Sequence, residues 1–526
     1  MRKKSLLKGM AIVLASSAVF TGCAGEGNQK SANETKGKDS GKEETIKVMV
    51  WDRGDAAPGT TSEDNEQTKW IQQQVKEKLN LNVKFVAVPR SSSDDKLNIM
   101  MSGGSAPDIV FSYGQDLFSN YASNGGLADL SEAYKKEGKD IAKYVGDVQD
   151  MGVIDGKQFA IMKQRGEEKA RHTAYIRKDW LDALGMNIPK TKEELEAYLK
   201  AVKEKNPGNV ENVIPWAMSG RNDTEKGYLN FLGSYVDLKD DKEGYMYNEG
   251  YMAVASGAEE GLKKLNEWYN EGLISKDFST DTTEDIYKAQ VTAGNVGFIL
   301  DDTSRPWEYI EVLNNTIGHE TFVPVECFDL PDGSYRDPYE PRFGMFVMIP
   351  KTSEDKVDAC MKYLNWQADP EVAENIIYTK DHQRDENGVP KFLSQEELSE
   401  KGYPGTCDDL NIVNLALDYT NDKEAIISKC VNDQSTEWES KEWFENYYDV
   451  CEVGKYRHPT YPYISEDEAN YGKNITDTMI EYVYKCISCP TADFDKTQKE
   501  EYAKLESAGL KKVLDAREKY YDSIEK

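Results

Sequence analysis

Histidine is nearly missing from this sequence, with four residues in 526, and no HExxH, GxSxG or phosphate-loop motif occurs. Nothing therefore supports a zinc protease, a serine hydrolase of that type or a nucleotide-hydrolysing enzyme. Positive charge is also short: 65 Lys and Arg face 94 Asp and Glu, a formal charge of −29. Phosphate backbones need a basic stripe, so no nucleic-acid partner is expected. Long apolar runs are lacking. The mean hydropathy is −0.70, and the uncharged stretch at residues 10–20 is eleven residues long, short of the ~20 that a bilayer-spanning helix needs. Cysteine is sparse. Apart from Cys23 the chain has Cys327, Cys360, Cys407, Cys430, Cys451, Cys486 and Cys489, an odd set that does not describe a disulfide framework. Cys486 and Cys489 form a CxxC pair that fits a disulfide, half a zinc site or a redox motif, but no second CxxC or nearby His completes four ligands. Buried or locally paired thiols are expected, and no metal or cofactor.

At 39% hydrophobic and 10% aromatic residues the chain can fill substantial cores, and its length favours two or more domains. The N-terminus differs from the rest. Arg2, Lys3, Lys4 and Lys8 precede the apolar run, as in a secretory signal. The run ends in Phe20, Thr21, Gly22 and Cys23, which resembles a bacterial lipobox, with Phe where Leu is usual. That resemblance implies lipidation of Cys23. Residues 24–44 hold no large apolar side chain, so they cannot join a core, and they read as a tether. Such a coil has an r.m.s. reach of roughly 25 Å.

Beyond the tether, residues 46–51 alternate as a strand, and Ile71, Val75 and Leu79 repeat at helical spacing. A second strand at 83–88, a short helix at 94–101 stopped by Gly103 and Gly104, and a third strand at 108–113 follow. Strand, helix, strand, helix, strand predicts a parallel, doubly wound sheet. Ligands of such sheets lie beyond the carboxyl ends of the strands, which puts Trp51, Asp52 and Tyr113 at a cleft edge. Thr191 with Glu194 predicts a capping box ahead of Leu195, Tyr198, Leu199 and Val202. Leu262, Leu265 and Trp268 mark another helix, and Gly294 leads into a strand at 296–300. A strand at 343–349 and a helix with Val357, Cys360, Met361 and Leu364 extend the alternation, and 499–521 reads as one amphipathic helix.

Five segments then stand in order: Ser102, Gly103 and Gly104 through Pro107 and Asp108; Asp155, Gly156, Lys157; Arg177, Lys178, Asp179, Trp180; Pro189, Lys190, Thr191; and Ala293, Gly294, Asn295. Together, over roughly residues 46–380, they resemble the extracellular solute-binding proteins of ABC importers, in the branch with maltose- and oligosaccharide-binding lipoproteins. The resemblance implies an α/β, two-lobe periplasmic-binding-protein-like fold, each lobe a doubly wound sheet, joined by crossing hinge strands. Its expected parts are a signal at 1–22, a tether at 23–44, a first lobe of 45–165 plus about 345–400, and a second of about 170–342 plus 405–526. It also implies a carbohydrate ligand, ABC permease subunits as partners, a lipid anchor in the membrane at Cys23, and a monomer. The place is the outer face of the cytoplasmic membrane of a Gram-positive bacterium.

Sugars present flat C–H faces and paired hydroxyls, so their sites combine aromatic platforms with Asp, Glu, Asn and Arg. Trp51 and Asp52 supply both, unless the ring caps the sheet and the carboxylate caps a turn; Tyr113 is placed like Trp51. Trp216 follows Pro215, with Arg221 near, and is either a platform or core. By the family resemblance Trp307 corresponds to a stacking Trp, with Asp301 and Asp302 before it in an acidic turn. Arg171, beside His172, and Arg342 fall near the expected crossings, Arg342 being free for ligand or paired with Glu340. Trp438 and Trp443, five apart, do not share a helical face well, so one of them belongs to a core. Residues 206–211, where larger relatives carry a calcium loop, lack alternating carboxylates.

Two other functions fit parts of the pattern. A glycoside hydrolase would use Asp301, Asp302 or Glu437 as a carboxylate pair. A glycan adhesin, a sensor or a receptor for peptide or another small solute would use the same two lobes. Removing residues 1–22 takes four positive charges and moves the net charge from −29 to −33, which aids solubility and disfavours a polyanionic ligand.

Overall fold

The computed structural model describes residues 44–524 except 167, 221–227, 416, 418–420, 434–437 and 439. The expected signal, the lipidated Cys23, the tether up to residue 43, Arg221 and Glu437 lie outside the described residues. Among those described, no helix is long and apolar enough to cross a membrane.

Alternating apolar side chains form β1 (Glu44–Asp52) and β2 (Leu81–Pro89), paired in parallel from Glu44 opposite Leu81 to Asp52 opposite Pro89. The helix Glu66–Leu79 joins them: Asn65 caps its start, accepting the Thr68 N–H, and Ile71 and Val75 turn inward. β3 (Val110–Ser112) continues the parallel order through a bridge between Val48 and Ile109. β4 (Ala160–Gln164) and β9 (Phe343–Met348) complete this layer, β9 lying antiparallel between β3 and β4. The second layer orders β8 (Phe322–Val325), β5 (His172–Arg177), β7 (Val296–Asp302) and β6 (Ile214–Trp216). Only β6 and β7 run parallel there. The parallel order expected from the first strands therefore gives way to mixed sheets, because strands entering from the other lobe arrive in the opposite sense.

Two large apolar cores result. One gathers side chains from 46–162, 345–376 and 410–413; the other gathers those from 174–328 and 426–513. Leu410, Ile412 and Val413 pack in the first core, although residues past 405 were expected in the second lobe. Buried Gln367 draws them there, its amide bonding the Leu410 carbonyl and the Ile412 N–H.

The chain crosses between cores beside two antiparallel segments, 165–171 and 338–342. The Arg165 N–H donates to Arg342, Arg171 to Pro338 and Glu340 to Lys169. A third segment joins them where the Leu415 N–H meets the Gln164 carbonyl.

The recurrent segments turn out to be joints. Asp108 accepts from the Lys47 N–H, the Ser353 hydroxyl and Lys356, tying β1 to the helix Val357–Gln367. Arg177 grips Asp179 and donates to the Gly294 carbonyl. Thr191 caps its helix, but the Glu194 carboxylate takes the Lys190 N–H rather than closing the expected box. The tail is two helices, Phe494–Ala508 and Leu510–Ile524, and not one. Gly509 turns between them at φ +110, and a Cβ there would stand 2.7 Å from the Tyr471 ring.

Trp216 is fully buried, edge-on to Phe231, Trp268 and Phe298. Trp216→Ala is expected to lower unfolding stability by roughly 3–5 kcal/mol. Urea denaturation checks this, and a loss below about 1 kcal/mol would mean that the ring is not part of a packed core.

Candidate functional site

The carboxyl ends of β1, β2 and β3 and the start of β9 all reach the crossing, so their exits line one edge. Trp51 is the last buried side chain of β1, Arg90 follows the end of β2, and Tyr113 follows the end of β3. The Arg90 guanidinium lies 4.1 Å from the Trp51 ring centroid and 5.6 Å from that of Tyr113. Arg165 approaches the same Tyr113 ring at 5.7 Å. Trp51, at 7% exposure, is covered by these groups and by Phe111. Tyr113 is 44% exposed and keeps an open surface.

Arg165 also lines a cavity of about 270 Å³ built by the crossing segments, with Lys169, Glu340 and Arg342, and by Tyr378, Phe392, Asp408 and Arg457. Its volume is near the lower end of ligand pockets, roughly 300 Å³. Phe392, 40% exposed, stacks on Tyr378 at 4.3 Å. Arg165 and Arg171 share the buried Glu340 carboxylate, and Arg171 also pairs with Asp302 at 3.3 Å. Burial alone would raise the Asp302 carboxyl; Arg171 and Ser304 instead hold it well below the usual carboxylate range. The Lys163 side chain is 3% exposed and burial pushes its amine down. Asp408, buried next to Asp409, is pushed up. Asp409 itself pairs with Arg53 through both oxygens.

Across the edge, the Gln115 amide donates to the Tyr461 carbonyl at 2.8 Å, from the helix Gln115–Ser123 of the first lobe to the loop before Glu466–Ser488 of the second. Trp307 sits past the end of β7, one face on Phe444 at 5.7 Å and half-buried.

The expected residues thus divide. Trp51, Tyr113, Arg171, Asp302 and Arg342 gather at the crossing, with Trp307 at the β7 exit. Asp52 caps a turn instead, accepting from the Gly54 N–H and the Ser62 hydroxyl. Asp301 is buried and held by Arg305 at 3.0 Å, so it is closed to ligand. Trp216 is core. Trp443 is core too, its indole N–H donating to the Phe322 carbonyl. Trp438 donates to Asn315, at the end of the helix Tyr309–Ile317 that leads away from Trp307. Arg342 pairs with Asp147 and Glu168 and not with Glu340. Arg90 escaped the sequence reading, although the strand-end rule that found Trp51 and Tyr113 points to it. Phe392, Asp408 and Arg457 had no such signal. Cys486 and Cys489 are both free thiols; burial pushes Cys486 up to about 12.

Residues 61–374 match the family described as bacterial extracellular solute-binding protein. The chain belongs to this family. A carbohydrate ABC transporter substrate-binding protein of Streptococcus pneumoniae is 26% identical over 520 residues, 96% of each chain. Lipoprotein LipO of Bacillus subtilis is 27% identical over 377 residues, 69% of this chain and 70% of that one. An HMO binding ABC-transporter associated solute binding protein from Bifidobacterium longum infantis superposes with TM-score 0.67 at 15% identity, covering 91% of this chain and 99% of that one. This last likeness is one of fold, and it is the two-lobe solute-binding fold. In this solute-binding protein the cavity adjoins the segments that cross between the lobes, and Arg165 links it to the Tyr113 strand exit.

His172, which opens β5, is buried, and its Nε2 has no partner. Burial, with Arg171 beside it, pushes its pKa from 6.5 down to about 4. Between those values the unfolded chain binds the proton and the folded chain does not, so stability rises with pH across the window and is lost as pH falls through it. The group accounts for roughly 3 kcal/mol. Urea unfolding from pH 7 to 4 is expected to show a steeper loss for the parent than for His172→Gln; parallel curves would remove His172 as the cause.

Proposed function

We propose that the protein is a lipid-anchored receptor that captures an oligosaccharide between its lobes and delivers it to an ABC permease. The observation that carries this reading is the half-exposed Tyr113 ring beside Arg165, which also lines a cavity built by the crossing segments. An aromatic face ringed by Arg, Asp and Glu side chains suits a pyranose, whose C–H face stacks while its hydroxyls make paired hydrogen bonds. The carbohydrate assignment of the Streptococcus pneumoniae relative, which aligns over 96% of this chain, supports it. Lobe closure about the crossing would bury the sugar and present a new surface to the permease.

A hydrolase is disfavoured by the carboxylates themselves. Asp301 is buried against Arg305 and closed to ligand, and Asp302 is held ionised by Arg171, so the two do not form the acid–base pair that glycoside cleavage needs. Binding without catalysis is the consistent reading. In this reading the anchor is a lipid on Cys23, on the outer face of a Gram-positive cytoplasmic membrane, and the likeness to Lipoprotein LipO supports it.

A thermal-shift screen over mono- and oligosaccharides tests the function, since ligand at 100 times Kd adds about 2.7 kcal/mol; a screen without any shift would overturn it. With a hit in hand, Trp307→Ala should weaken calorimetric binding by at least ~1 kcal/mol if the ring stacks on sugar, and unchanged affinity would remove it from the site. Saturating ligand should also lower the radius of gyration in solution scattering, whereas an unchanged radius argues against closure. Cys23→Ser is expected to move the protein from the membrane fraction to the medium.

A further inference from the structure

The aromatic face at the cleft is ringed by charge of both signs. The ring hydroxyl of Tyr113 feels Arg165 and Arg90 on one side of the ledger of charge and Asp408 and Asp409 on the other. The acids are already engaged or suppressed. Asp409 is bound by Arg53, and Asp408, buried beside it, is pushed towards its neutral form. Arg165 is matched by Glu340.

Arg90 is different. No carboxylate stands within ion-pair distance of it among the described residues, and its Nε is buried with no hydrogen-bond partner. The acid closest to it in sequence, Asp94, accepts from the Ser112 hydroxyl at 2.8 Å instead. The Arg90 plane is fixed against Trp51 and Tyr113, so the guanidinium is held in place with Asp94 near enough to feel its charge but not paired to it. In a body with a net charge near −30, a counter-ion for a cation is easily supplied by a surface carboxylate. Its absence at this point leaves the role to the ligand.

We propose that the solute is an oligosaccharide containing an acidic sugar, with a ring on Tyr113 and its carboxylate on Arg90. This deepens the oligosaccharide reading and rests on it. A planar guanidinium meets a carboxylate through two parallel N–H bonds, and the aromatic rings that hold Arg90 flat reduce the entropy lost on forming them. The same geometry gives a neutral sugar nothing to offset the charge on Arg90. The overall acidity of the chain sets the opposite expectation, since net charge repels polyanions at long range. The two are compatible for short oligomers, whose charge is screened beyond about 8–10 Å at ordinary ionic strength and felt only inside the cleft.

The test is calorimetric titration of the anchor-free chain with trimers of galacturonate, mannuronate and guluronate and with a glucuronate-containing disaccharide. Each is paired with its carboxyl-reduced, neutral counterpart. The expected result is binding of at least one acidic oligomer, with its neutral counterpart weaker by about tenfold or more and with affinity falling as salt rises. Arg90→Gln should lose a similar factor for the acidic oligomer alone, Arg90→Lys should recover part of it, and the melting temperature of each unliganded variant should match the parent's. Equal or better binding of the neutral counterpart, or acid binding that is indifferent to Arg90→Gln, overturns the acidic-sugar assignment and leaves the oligosaccharide reading standing. Binding of neither class, here and in the wider sugar screen, overturns both.

Discussion

One buried carboxylate holds the crossing together. Glu340 takes a guanidinium from Arg165, where the chain leaves the first sheet, and another from Arg171, where it enters the second. Two cations so close would repel strongly in a half-buried setting, and a lone buried carboxylate would be costly as well. Each group therefore needs the others. The position of Arg165 over Tyr113, of Arg171 against Asp302, and of the cavity walls follows from that shared contact. The backbone pairing of 165–171 with 338–342 supplies the frame, and Glu340 sets where the charged side chains fall within it.

The fold was legible because its joints are local. Asp108, Arg177, Thr191 and Gly294 act through backbone N–H groups, caps and close approaches, and such roles leave short, ordered signatures in sequence. Those signatures located the family and said nothing about the ligand. The site was legible only where it followed from strand direction: Trp51 and Tyr113 were found as strand exits, and Arg90 obeys the same rule. Residue chemistry alone misled. Trp216, Trp443 and Asp301 have the side chains that sugar sites use, but the first two fill a core and the third neutralises Arg305. Phe392, Asp408 and Arg457 reach the cavity from segments distant in sequence, and no periodicity reports such convergence. The tail failed for a different reason. An apolar stripe continues across Gly509, but the Tyr471 ring packed against that glycine reorients the helix.

Average charge also proved a poor guide to local charge. An acidic total describes the solvated surface, where carboxylates are cheap to hydrate. At the crossing the arginines are packed on rings and on each other's counter-ions, and their balance depends on which acids are already bound. Asp409 and Glu340 are committed, Asp408 is driven towards neutrality by burial, and the composition of the whole chain does not register any of this.

Arg90 and Tyr113 each stand one residue beyond the last paired position of their strands. Neither side chain belongs to the two large cores, and both lie on Trp51, which does. Substitution at these positions therefore reaches the first core only through the Trp51 ring. If the ligand rests there, a descendant of this chain can change what it carries by altering two side chains at strand exits while most of both cores stays as it is.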